Sequence, residues 1–587
     1  MNKPVFFFVI AMLFLTFAAK AQYFEAGGIA YNVLSTTEHT IEVVPLSSCA
    51  LYRGNITIPA TVTHNGITYD VIALGEEAFY RAMLTSISIP SSVTQIKYGC
   101  FLAARGLLSI TIPASVMNIE PLAFAATNLN AINVDEDNPY FRSIDGLLFS
   151  KDTSTIVECP IKKSGSVSLP HNTKHIAPYA FTYCQSITGI TFPDSLLSIG
   201  NVAFMHAIQL NNIAIPATVL HIGHNLFAGC SALNNLALAE NNNYYYMDGM
   251  AIYSAAGDTL VSCHKSADTV ILPATLRVVD GFNSNHDIKY VLVPEGVTEI
   301  CDNAFGNSSL VSIELPSQMD LIDEYAFYYC QSLTHVGMPA SLDTMGEGVF
   351  EECSNLTSID IPNGLRVIPQ LAFYFCESLS EITWGDAVEV IDSSAFGGCA
   401  FTELQLPSTL HVVHMGAFCG YNNGHLKRVI FSSPVDTIEV EALAALDLTM
   451  LRFKNTVPPV TTEPQYGCLY MTDVDSIVVP CGSLDAWLTD VYWGQFADKY
   501  YEDCNGIADT PETAIAVYPN PASSRLTIGG VEGKGMAELV NAAGQTVLSR
   551  QINGNTAEID VSTLPRGHYF LRLHTSQSIV THKVILN

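Results

Sequence analysis

Two pairs of histidines, His221-x-x-His224 and His411-x-x-His414, have a spacing at which imidazoles could share a metal ion and activate water. A working site needs a further donor, and neither pair has a carboxylate or cysteine at ligand spacing in the chain around it. Both lie in short stretches between a proline and a phenylalanine and read as solvated turn histidines. Asp473-x-Asp475 and Asp135-Glu136-Asp137 offer the oxygens that calcium takes, but neither completes a loop motif. The glycine-rich run from Gly529 to Gly535 lacks the spacing and the Ser/Thr of a phosphate loop and reads as a turn. There is no G-x-S-x-G, no H-E-x-x-H and no nucleophile set beside a base. No catalytic residue, metal ligand or cofactor site is predicted, and the expectation is a non-enzyme.

The elements that must position any functional surface are repeats. Between Leu310 and Cys399 the chain reads LVSIELP, SLTHVGMP, NLTSIDIP and SLSEITWG, and Pro316, Pro339, Pro362 and Gly385 stand 23 residues apart. Each line continues with apolar residues three and six places on, Phe at eleven and Cys at fourteen. Further anchors are Pro90, Pro113, Pro170, Pro193, Pro216, Pro294 and Pro407. In Leu84, Ile87 and Ile89, or Leu107, Ile110 and Ile112, the period of two before the proline marks a short strand. The proline ends it by withholding a donor. One unit carries roughly seven apolar side chains at about 1.5–3 kcal/mol each, while ordering costs about 1.5 kcal/mol per residue, so a unit folds only against neighbours.

The 15 cysteines of an exported chain would ordinarily suggest a disulfide framework. Cys184, Cys230, Cys330, Cys353, Cys376 and Cys399, however, all fall fourteen after their anchors, which is the mark of a repeated core slot filled by free thiols. Cys468, Cys481 and Cys504 lie outside that register and could include one disulfide. A net charge of −30 repels phosphate backbones and excludes nucleic acid as a partner.

Lys3, the apolar run Val5 to Ala19 and Ala19-Lys20-Ala21 read as a signal peptide, residues 1–21, cleaved between Ala21 and Gln22. No later stretch is apolar enough to span a membrane, so no transmembrane segment is expected in the mature chain. Residues 22–55 are expected as an N-terminal β cap, and residues 56–455 as the repeat array. Pro113 to Pro170 and Pro216 to Pro273 are both 57 residues, and around Asp145-Gly146 and Asp248-Gly249 each carries an insert, near 135–165 and 239–269. Each is predicted as a small hairpin pushed out of the stack. A structural role is expected for both, with binding by Tyr244-Tyr245-Tyr246 as the alternative. Beyond Pro407 the units degrade, and residues 456–504 are expected to close the array with a last strand, a short helix, and Trp487, Trp493 and Phe496 over the exposed core.

The pattern L-x-x-I-x-I-P-x-x-V-x-x-I-x-x-x-A-F-x-x-C, over roughly residues 56 to 500, resembles the BspA-like class of bacterial surface leucine-rich repeats. The implied fold is a leucine-rich-repeat solenoid, with a short β-strand plus turn or coil in each repeat. Residues 505–513 form a linker, and 514–587 abandon the repeat for seven short strands, read as a small all-β sandwich. That domain, through Tyr518-Pro519-Asn520-Pro521, Asn541-Ala542-Ala543-Gly544, Pro565-Arg566-Gly567 and Lys583-Val584-Ile585-Leu586, resembles the type A C-terminal sorting domain of the type IX secretion system. The resemblance implies contact with that secretion machinery and passage across the outer membrane. It also implies removal of the domain, with the remainder anchored at the cell surface or released outside the cell.

The residue two before each anchor sits between two inward-facing ones and should point to solvent: Ser88, Thr111, Ser168, Thr191, Ala214, Glu314, Gly337, Asp360, Thr383 and Gln405. Stacked, they predict a flat, small-to-polar stripe suited to an extended protein or glycan ligand rather than to a pocket-sized molecule. Adhesion to host or neighbouring cells is the function the first resemblance implies. A glycan-binding or hydrolytic surface module and a passive coat component are the alternatives.

Overall fold

The structure is a computed structural model, described here for residues 23–46, 51–420, 425–462, 467–504, 516–518, 524–529, 534–541, 546–553, 556–574 and 579–586. It comprises two compact units, Met1–Glu502 and Asp503–Asn587. The expected signal peptide, with Ala21 and Gln22, lies outside the described residues.

The first unit is a solenoid with two strand ladders. The L-x-x-I-x-I segments form one: Ser164–Ser168, Ser186–Thr191, Asn212–Ile215 and Asn235–Leu238 pair in parallel, as do Thr269–Ile271, Tyr290–Leu292, Ser312–Glu314 and His335–Gly337. Two-residue strands five and six places after each anchor, such as His175–Ile176, Ser198–Ile199 and His221–Ile222, form the other. Between them the chain turns around the phenylalanine. There, Tyr325, Phe327 and Tyr329 donate their N–H groups to the carbonyls of Glu347, Val349 and Glu351 in the next coil at 2.8–2.9 Å.

The phenylalanines form columns. Phe327, Phe350, Phe373 and Phe396 are buried and stacked at 5.2–5.5 Å, within 6–11° of parallel. Phe79, Phe101 and Phe124 form one such column and Phe181, Phe204 and Phe227 another. The slot fourteen after the anchor admits only small side chains: Ala104, Thr127, Ala207 and Ser308 fill it where Cys184, Cys230, Cys330, Cys353, Cys376 and Cys399 do not, and all are buried. These cysteines are free, as is Cys468, whereas Cys481 and Cys504 are disulfide-bonded.

Each turn forces left-handed backbone at two sites, nine and thirteen after the anchor. Tyr325 and Tyr329, Leu371 and Phe375, and Ser394 and Gly398 occupy them with φ of +53° to +78°. Most are not glycine, although the conformation costs an L-residue roughly 1–2 kcal/mol. Three N–H groups bonded to the next coil hold them there.

The inserts are not pushed out of the stack, contrary to the sequence expectation. Each is a three-stranded antiparallel element: Phe141–Ile144, Leu147–Ser150 and Thr155–Glu158 in the first, Tyr245–Asp248, Ala251–Ser254 and Thr259–Cys263 in the second. The last strand of each continues the parallel two-residue ladder. The middle strands, LLFS and AIYS, are apolar on both faces and must be covered on both. Leu148 packs into the core before it and Leu147 and Phe149 into the core after it. Ile252 opposes Ala251 and Tyr253 in the same way. The hairpins are partition walls, and they divide the solenoid interior into three apolar segments. Polar groups are buried at these walls, Glu158 and His264 among them.

At the N-terminal end Tyr23–Ala26, Ile29–Ser35 and Thr40–Val44 form a meander that joins Ile67–Leu74 in the two-residue ladder. Asn65-Gly66 turns the hairpin between Thr61–His64 and Ile67–Leu74. At the other end the helix Leu484–Thr489 and the 3-10 segment Trp493–Lys499 lay Trp487 and Trp493 against Phe453 at 4.9 and 5.3 Å. Their indole N–H groups donate to the carbonyls of Asn455 and Pro459.

The second unit has the seven expected strands in two antiparallel sheets. One holds Ala516–Tyr518, Arg525–Gly529 and Thr556–Asp560, the other Lys534–Asn541, Thr546–Asn553, Gly567–His574 and Ile579–Leu586. Leu526, Ile528, Leu539, Ile559, Leu571 and Val584 share one buried cluster.

Candidate functional site

Alternation within each strand decides which side chains reach solvent. Ile359 and Ile361 are buried, and Asp360 between them is exposed. Ser88, Thr111, Ser168, Thr191, Glu314, Thr383 and Gln405 are exposed for the same reason. The register sets Ser168 beside Thr191, Asp360 beside Thr383, and Glu314 beside Gly337. Neighbouring strands of such a ladder stand about 4.8 Å apart. The structure therefore assembles the row in sections. The ladder is interrupted at both hairpin walls, between Met83–Ser88 and Ser109–Ile112, between His335–Gly337 and Ser358–Asp360, and between Glu381–Thr383 and Glu403–Leu406, so Gln405 lies beyond a break from Thr383.

The face is less uniformly polar than expected. Ile271 and Leu292, two before Pro273 and Pro294, occupy the same row and are 75% and 56% exposed. The signal for them was in the sequence, since VILP and VLVP place an apolar residue at that position. In the flanking row Arg428 pairs with Glu403 at 3.0 Å, and His335 reaches across to Glu314 of the candidate row at 3.1 Å.

His411 meets Asp436 at 3.3 Å and His414 meets Glu439 at 3.0 Å, each carboxylate coming from the following coil. Those partners stand one repeat away in sequence, far beyond the spacing of a local ligand motif. His224 is half-buried rather than solvated, and burial lowers its pKa. Among the described residues no group of three or more His, Cys, Asp and Glu is placed to hold a metal ion. Asp135 accepts from the Asp137 N–H in a turn, and Asp473 and Asp475 flank the buried Val474. Tyr245 is structural, its hydroxyl accepting from the Ile222 N–H at 2.9 Å, while Tyr246 stacks on Tyr253.

Three carboxyls are pushed strongly upward, all away from the strand face, and Asp280 is one of them, raised well above the carboxylate range by burial. Burial pushes Glu158 up to about 8, against a single hydrogen-bond donor, the Phe124 N–H. Burial and the nearby Glu352 and Glu347 raise Glu351 to about 8.

The repeat register is also that of a known family. Residues 70–162, 153–254, 278–400 and 349–472, together more than half of the chain, match the BspA type leucine rich repeat region. The chain belongs to the BspA-type leucine-rich repeat family. Residues 516–587 match the secretion system C-terminal sorting domain, so this BspA-type array is exported and is either attached at the cell surface or secreted. Within that match Gly567 opens its strand with φ +145° and Lys583 pairs with Phe570, while Tyr518 ends a strand. Pro519, Asn520, Pro521 and Gly544 lie outside the described residues.

Among solved structures, a leucine rich cell surface protein from Faecalibacterium prausnitzii is 26% identical, with 70% of this chain and 96% of that one covered and a TM-score of 0.36. A leucine-rich repeat protein from Bacteroides ovatus is 20% identical, with coverage of 82% and 99% and a TM-score of 0.36. No curated protein sequence matches the chain. No helix among the described residues is long and apolar enough to cross a membrane.

Proposed function

We propose that this BspA-type chain is a non-catalytic surface protein that holds a protein ligand on host or neighbouring cells along its strand face. The observation that carries the reading is the exposed row from Ser88 to Gln405, which recurs in sections along the stack. Extended, shallow surfaces of this kind favour macromolecular partners over small molecules. The signal peptide 1–21 is removed on export. Residues 22–55 and 456–504 close the ends of the array at 56–455, and the linker 505–513 leads to a sorting domain, 514–587, that the type IX machinery recognises and removes.

The test is a pull-down from matrix proteins, mucins and neighbouring bacteria with the full chain and with a variant carrying Thr191→Lys, Asp360→Lys and Thr383→Lys. Capture by the wild type and loss in the variant supports the reading. Blank results with every partner, or undiminished capture by the variant, overturn it. Capture abolished by free glycans would move the ligand to the carbohydrate class.

A further inference from the structure

The break in the ladder between Glu381–Thr383 and Glu403–Leu406 is a cleft of about 300 Å3, lined by Ser380, Glu381, Trp384, Phe401, Glu403 and Gln405 among others. The repeat pattern changes at this place. The slot just before the anchor, filled by Ile361 and Leu406 in the flanking coils, holds Trp384. The slot six before the next anchor, filled by Leu356 and Leu379, holds Phe401. Both rings pack on Phe396, at 5.7 and 5.9 Å, and Trp384 is only partly buried. Two aromatic rings stand at this break in place of the aliphatic side chains of the neighbouring coils.

The row four residues before the anchor runs Ser358, Glu381, Glu403 and Arg428. Arg428 sits on Glu403 at 3.0 Å, so this row already pairs a guanidinium with a carboxylate between adjacent coils. Glu381 and Glu403 hold equivalent repeat positions on the two sides of the cleft, and like charges close together are unfavourable. Glu381 carries no ion pair among the described residues.

We propose that the cleft takes the guanidinium of an arginine on an extended segment of the partner, an inference that rests on the strand-face reading above. An arginine fits on three counts: its planar cation matches carboxylates, it is attracted by aromatic rings, and a chain of net charge −30 draws cationic partners. The volume lies at the lower end of ligand sites, suited to one long side chain rather than to an oligosaccharide.

Calorimetric titration of the full chain with a blocked tetra-arginine peptide tests this. One-site binding is expected, weakened at least about tenfold in Glu381→Gln and in Trp384→Leu. It should be unchanged in Glu240→Gln, an exposed acid on the second insert. Trp384→Leu restores the aliphatic type of the neighbouring coils and is expected to fold, which a thermal melt verifies, and Glu381→Gln leaves the aromatic lining intact. Equal affinity in Glu381→Gln overturns the proposal, as does equal weakening in Glu240→Gln, which would mark diffuse attraction to a polyanion. Binding of maltoheptaose that Trp384→Leu abolishes, with tetra-arginine inert, reassigns the cleft to a sugar. If Glu381→Gln still captures the cellular partner that the triple-lysine variant loses, the cleft assignment fails while the strand-face reading stands. If the wild type captures nothing, the strand-face reading fails on its own.

Discussion

The thiol of Cys376 donates to the carbonyl oxygen of Phe350, one coil earlier, at 3.1 Å. Cys353 repeats the bond to Phe327, Cys399 to Phe373 and Cys230 to Phe204, at 3.0–3.2 Å. The slot thus demands a small volume, met by Ala104 and Ala207 without any donor, and it accepts the thiol because so weak a donor is buried at little cost.

Burial pushes the Cys376 and Cys353 thiols well above their usual range, and Cys330 up to about 11. Since the thiolate is the reactive form, a maleimide should leave these cysteines unlabelled in the folded chain and label them in guanidinium chloride. Rapid labelling of Cys376 in the native protein would contradict the slot geometry. Cys376→Ala should cost about 1 kcal/mol for the lost bond, and Cys376→Leu about 1–3 kcal/mol from overpacking.

Phe350 lies between Phe327 at 5.3 Å and Phe373 at 5.5 Å, so truncation removes two ring contacts and leaves a cavity inside the column. Phe350→Ala should destabilise by about 3–5 kcal/mol. Because a repeat stack is held by nearest-neighbour contacts, the loss should split denaturant unfolding, with the coils around Phe350 melting first. Hydrogen exchange resolved by peptide measures this, and uniform loosening from end to end would count against it.

Glu158 is fully enclosed, and its carboxyl is raised from 4.5 to about 8. Well below pH 4.5 the group is protonated in both folded and unfolded chains and does not affect folding. Between the two values the unfolded chain ionises while the folded chain keeps its proton. Stability therefore falls as pH rises through that window, by roughly 1.4 kcal/mol for each pH unit crossed, and stays lower above it. Glu158→Gln should melt higher than the wild type, by a margin that widens from about pH 5 to about pH 8. A margin that stays constant across that range would mean the carboxyl titrates normally.

At Gly398, φ is +78°, and a Cβ there would approach Cδ1 of Phe375 at 2.7 Å. Gly398→Ala should therefore cost more than the roughly 1–2 kcal/mol of the left-handed backbone alone. Ser394→Gly, at φ +56° in the same turn, should be neutral or stabilising. Chemical denaturation of the two variants checks the contrast.

The register was legible because apolar residues recur at fixed offsets from Pro316, Pro339 and Pro362, and a shared interior demands that recurrence. The left-handed sites were not legible, since Tyr325, Leu371 and Phe375 are residues that no turn rule would place there. Bonds to the next coil override their preference. LLFS in Leu147–Ser150 was read as half of a protruding hairpin, although apolar residues on both faces signal a strand covered on both. Trp384 and Phe401 stood out as departures from the pattern, but only the stack shows that they fall on either side of one gap. The acids meeting His411 and His414 escaped a search over neighbouring residues, because in a stack the neighbour is a whole coil away.

The partition walls at Leu147–Ser150 and Ala251–Ser254 bear on how the molecule responds to force. A surface protein gripped at one end and loaded at the other by flow would not give way all at once, because no continuous apolar column joins its three compartments. Each would yield separately, releasing slack in three steps of tension, as an optical trap pulling on the two ends would record.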